Sequence, residues 1–131
     1  MENEKKPIEF RRDTEDFATR YANNASLEAS VWDMKITFGQ TDLALGPNII
    51  VQHTAITIPW PYVKILVYLL QANIAAKEAE AGRIEVPRNI LGPPAEAPSQ
   101  EMLDNLKHPK EGVAAVHKVW AEFVAANPEL K

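Results

Sequence analysis

Ten prolines divide this 131-residue chain into the stretches that can be regular. Each fixes φ and removes a backbone N–H, so helices and strands must fit between Pro7, Pro47, the pair Pro59 and Pro61, Pro87, the cluster Pro93, Pro94 and Pro98, and the pair Pro109 and Pro128. The spacing predicts four parts: a charged N-terminal segment over 1–20, a strand–strand–strand–helix core over 21–86, a Pro-rich linker over 87–98, and a C-terminal helical extension over 99–131. The linker, PRNILGPPAEAP, is expected to be extended.

Inside the core the apolar pattern has period two. Tyr21, Ala25, Leu27, Ala29 and Val31 fall at odd positions, whereas Trp32, Met34, Ile36 and Phe38 fall at even ones. A one-residue slip would turn the whole apolar set to the other face, so a bulge or tight turn is expected at Ser30 to Asp33. Gly39 to Pro47 reads as a loop. A third strand is expected from about Asn48 to Ile58, where Ile49 and Val51 share one phase and Ile56 and Ile58 the other; burial on both faces or a second bulge would reconcile them.

Proline at the first helical position predicts a helix from Pro61 to about Ala81, stopped by Gly82. Apolar residues fill nearly every side of its first three turns, more than one thin sheet can cover, and a partner chain is the simplest cover. In the extension a short helix is expected over Ser99 to Lys107 and a longer one over Lys110 to Ala126, with Val113, Val116, Trp120, Phe123 and Val124 as a narrow stripe. The fold class is α+β: an antiparallel β-meander of three or four strands packed on one long helix, with a C-terminal helical extension.

Composition removes several function classes. The chain contains no cysteine, which excludes disulfides and thiolate chemistry, and its net charge of −4 is spread evenly without the Lys/Arg footprint of a nucleic-acid binder. The longest apolar run, Val63 to Ala76, is broken by Lys64, Gln71 and Asn73 and falls short of the ~20 residues of a membrane span. The N-terminus has no secretory run, and a cytoplasmic location is expected.

The candidate chemistry is sparse. His53, His108 and His117 have no paired-ligand spacing, so no metal and no cofactor is expected. His53, mid-strand, is read as packed or held by a single structural bond. Asp13, Glu15 and Asp16, set among Arg11, Arg12 and Arg20, are read as a solvated segment rather than an acid/base pair. Asn23 and Asn24 are read as strand-entry residues, and Asp33 as bonding turn amides. No residue is assigned a catalytic role. Trp32 is expected in the core, and Trp60, Tyr62, Leu66, Leu69, Leu70 and Trp120 are the interface candidates.

Tyr21-Ala22-Asn23, the run Ser30-Val31-Trp32-Asp33-Met34-Lys35-Ile36-Thr37-Phe38-Gly39-Gln40, the proline-started helix with Leu69, Leu70, Asn73 and Ile74, and Gly82-Arg83-Ile84 together resemble the family called domain of unknown function 3467. The resemblance covers about residues 20–86; Met34 stands where an aromatic is commoner, and Trp60 where a small capping residue is. It implies a compact strand-rich prokaryotic unit with a helix, and no activity. The functional expectation is a non-enzymatic homo-oligomeric, in the simplest case dimeric, interaction or scaffold module. The alternatives are a chaperone-like peptide binder using a sheet edge or apolar groove, and a small-molecule enzyme centred on His53.

Overall fold

A computed structural model describes residues 6–46, 48–87 and 108–130. Strands β1 (Asn24–Ala29), β2 (Asp33–Thr41) and β3 (Ile50–Pro59) form one antiparallel sheet in the order β1-β2-β3, followed by helix α1 (Trp60–Ala81), helix α2 (Pro109–Ala126) and a 3-10 turn, Pro128–Leu130. This is the expected α+β arrangement, with three strands. The helix expected over Ser99 to Lys107 and most of the linker lie outside the described residues.

The slip of phase between β1 and β2 is absorbed by a tight turn. Ser30 N–H donates to Asp33 O at 2.8 Å, and the Ser30 hydroxyl oxygen accepts the amides of Trp32 and Asp33 at 3.2 and 3.1 Å. Trp32 therefore stands at the hairpin tip, 82% exposed, instead of in the core, because the turn needs Val31 and Trp32 as its two outward residues. Asp33 serves differently from expected too: its carboxylate accepts the Ser30 hydroxyl at 2.8 Å, and Ser30 takes the amides.

The mixed phase of β3 is a bulge. Phe38 pairs with Thr54 and Gly39 with Gln52, leaving His53 as the extra residue. As a result Val51, opposite Gln40, joins Leu27, Ile36 and Ile56 on one apolar sheet face. The bulge also presses β3 against β2: a Cβ on Gly39 would lie 2.8 Å from Ile50 Cγ2 and 2.9 Å from Val51 O. Gly39 is the buried position of β2, and only its missing side chain lets the strands close there.

Helix α1 starts directly at the end of β3, and Gly82, at φ 90°, ends it by donating its N–H to Glu78 O at 3.0 Å. Against expectation, α1 does not lie across the sheet. Trp60, Val63 and Leu66 are half-buried, every position from 67 to 77 is exposed, and no residue of α1 is buried. No connecting residue separates β3 from α1, and Pro61 fixes the exit direction, so the helix has no slack in which to reverse.

The end of the chain is clasped to the end of α1. Glu129 accepts the Val86 amide at 2.8 Å and the Arg83 guanidinium at 2.8 and 3.0 Å, beside Leu130, the one hydrophobic residue buried among those described. The 3-10 turn carries these ties, while on α2 the expected docking stripe is half-buried at Val113, Val116, Trp120 and Val124 and exposed at Phe123.

Gly39→Ala is expected to destabilise the protein by about 1–3 kcal/mol, the usual range for overpacking, in chemical denaturation. An unchanged unfolding midpoint would contradict the close approach at the bulge.

Candidate functional site

The bulge gives His53 its surroundings. Its Nε2 lies 2.8 Å from the Tyr21 carbonyl, which can only accept, so Nε2 carries a proton; Nδ1 is 2.7 Å from the Thr54 hydroxyl, which donates to it in the neutral ring. The single structural bond expected of this ring is therefore two, and Thr54, which unbroken alternation would set on the opposite face, meets the ring because of the bulge. His53 borders two open clefts. One, of about 520 Å³, is lined by Gln40, Thr41, Asp42, Leu43, Ala44 and Val51, and the other, of about 660 Å³, includes Asp16, Arg20, Phe38 and Thr54. Neither Asp16 nor Asp42 forms an ion pair with His53 among the described residues. No group of three His, Asp or Glu side chains there could hold a metal ion.

Tyr21-Ala22-Asn23 acts as a strap. Asn23 donates its Nδ2 to the Thr41 hydroxyl at 3.1 Å and accepts the Thr41 amide at 3.0 Å, while its own amide bonds Gly39 O at 3.1 Å. With the His53–Tyr21 bond, these ties hold the chain ahead of β1 against both other strands. Upstream, Asp13 accepts the amides of Glu15 and Asp16 at 3.0 and 3.1 Å, and the Asp16 amide foremost, then that of Glu15, lowers its pKa from the usual carboxylate value. Arg12 lies over the Phe17 ring at 4.7 Å, and Arg11 pairs with Glu9 at 2.9 Å. These side chains hold one another in an exposed turn.

The interface candidates divide. Trp60 anchors the hairpin, its indole N–H donating to Ser30 O at 2.9 Å. Leu66 is half-buried, whereas Tyr62, Leu69 and Leu70 are exposed along α1, with Tyr68 at 68%. Trp120 sits apart on α2, edge-on to His117 at 6.3 Å, with its buried indole N–H unpartnered among the described residues. What the sequence reading missed is the sheet face: Leu27 is 61% exposed and Ile56, across Ile36 from it, 46%. The alternation signalled that face. Nothing in it signalled that α1 leaves the face bare.

Two surfaces thus meet at the β3–α1 junction, an apolar sheet face and a helix apolar on most sides, and both are large for a folded chain to leave exposed. Their chemistry is that of packing.

The model of the family described as protein of unknown function (DUF3467) matches residues 1–86, so the match reaches through the charged segment as well as the core. No curated protein and no solved structure matches the chain.

His53→Ala is expected to lose about 0.5–1.5 kcal/mol, the worth of an ordinary hydrogen bond, and to raise hydrogen exchange at Tyr21 to Asn23 while leaving α1 protected. For Glu129, the Val86 amide first and Arg83 further down lower the carboxyl pKa. A lowered folded-state pKa stabilises the clasp above the ordinary carboxylate range and loses it as pH falls through the lowered value. The Val86 amide resonance should accordingly titrate in acid. Glu129→Gln should abolish that titration, and an acid-independent Val86 resonance in the unaltered protein would count against the clasp.

Proposed function

The chain belongs to the DUF3467 family, whose description names no activity, and from that premise we propose that it is a non-enzymatic homo-oligomeric interaction module, dimeric in its simplest form. The observation that carries the reading is burial. Leu130 is the one buried hydrophobic residue among those described, although 46% of the sequence is hydrophobic. Val, Ile and Leu are ordinarily the most buried residues of a folded domain. Here Ile65, Val67, Leu69, Leu70 and Ile74 all remain exposed on one helix. A core of this size is marginal alone, and association supplies the missing burial.

The proposal places the module in the cytoplasm, where an N-terminus without a secretory run would leave it, and the family resemblance implies a prokaryotic cell. No helix among the described residues is long and apolar enough to cross a membrane. A second reading, a peptide binder, is supported by β3, a ten-residue strand paired only on its β2 side among the described residues. An enzyme centred on His53 draws its support from the two clefts, which are open to solvent.

Light scattering across micromolar to near-millimolar concentrations tests the leading reading. A mass of two or more chains is expected. A monomer mass throughout would overturn it and leave the peptide binder, whose open β3 edge would then take up labelled extended peptides.

A further inference from the structure

We propose that two copies pair through antiparallel α1 helices in one register, with Gln71 on the twofold axis and Lys64 of each copy opposite Glu78 of the other. This rests on the homo-oligomer reading and specifies its surface and geometry.

At 100° per residue, positions seven apart lie within about 20° of each other, so Lys64, Gln71 and Glu78 form one narrow line along α1. It runs cation, amide, anion with the amide at its midpoint, and the ends are about 21 Å apart at 1.5 Å per residue. Turned end for end about Gln71, the line is complementary to itself: Lys64 meets Glu78 twice and Gln71 meets Gln71. A parallel pair would set Lys64 against Lys64 and Glu78 against Glu78, which repel. Val67 and Ile74 flank the line on one side, Tyr68 and Ala75 on the other, at the 3-4 spacing of a helix seam. The antiparallel register sets Val67 against Ala75 and Tyr68 against Ile74, bulky against smaller.

The seam is accessible. Lys64, Val67, Tyr68, Gln71, Ile74 and Ala75 are all exposed, and neither Lys64 nor Gln71 has a hydrogen-bond or ion-pair partner among the described residues. Asn73, the other polar group mid-helix, is already satisfied by donating to Leu69 O at 2.8 Å. Glu78 accepts the Ile84 amide through Oε2 at 2.8 Å, which fixes its carboxylate at the seam's end.

The same register brings the Ala-rich end of the partner's helix alongside residues 60–66, next to the bare sheet face.

The cysteine-free chain suits disulfide mapping. Oxidised Gln71→Cys is expected to give a covalent dimer, as is a one-to-one mixture of Lys64→Cys with Glu78→Cys, while each of those two alone gives none. Far-UV circular dichroism checks each variant's fold; if Glu78→Cys loses it with the Ile84 bond, a mixture of Val67→Cys with Ala75→Cys replaces that pair in the same register. Cross-linking of Lys64→Cys or Glu78→Cys alone, with none in the mixture, would mean parallel pairing and overturn the proposal. No cross-link from any of them while the unaltered protein scatters as a dimer would overturn this register and leave the oligomer reading intact. A monomer mass for the unaltered protein would overturn both.

Discussion

The arrangement depends on one steric constraint, the closure of β3 over Gly39. Because a bulge inserts one residue into β3, the strand's apolar phase changes at His53, and the backbone there comes nearer to β2 than any Cβ would permit. Glycine at position 39 makes the bulge possible. The bulge in turn allows Val51 and Ile56, of opposite sequence parity, to share a face. It also aims the His53 ring back at Tyr21, so that the strap ahead of β1, the stretch of β2 from Gly39 to Thr41 and the middle of β3 form one connected device. A residue that looks like an isolated titratable group in sequence is, in space, a fastening.

The regular elements were legible because their signals are local. Pro59, Pro61 and Gly82 bracket α1 to within a residue, since the first two fix φ and the third takes φ 90°, where a Cβ is unfavourable. The slip at Ser30 to Asp33 announced a turn through parity alone. Trp32 was misread because size suggests burial, whereas a two-residue turn must put its tip outward whatever the side chain. That His53 would take a hydrogen bond was legible, but its second bond was not, since alternation assigns Thr54 to the opposite face and only the bulge moves it. The bare face of α1 depends on direction: periodicity states which residues need cover, and the missing linker between β3 and α1 decides that their own sheet does not provide it.

The apolar residues of α1 explain why amphipathicity is a poor guide here. Val63, Leu66, Leu70 and Ile74 lie along one side and Ile65, Tyr68, Leu69, Ala72 and Ala76 along the other, so their directions nearly cancel. A helix with one apolar stripe needs one neighbour. A helix with two opposed stripes needs cover that reaches the edges of both, which a single three-stranded sheet touching only its first two turns does not supply. Between the stripes, a few polar groups remain. Asn73 folds its amide back on the helix backbone, so it specifies nothing beyond α1, whereas Lys64 and Gln71 project without partners among the described residues from a surface otherwise built to pack. Polar groups kept within a packing seam weaken it but select among registers, since every misaligned pairing strands a charge against an apolar side chain. Apolar area would hold two copies together in many alignments; a cation, an amide and an anion at heptad spacing admit one.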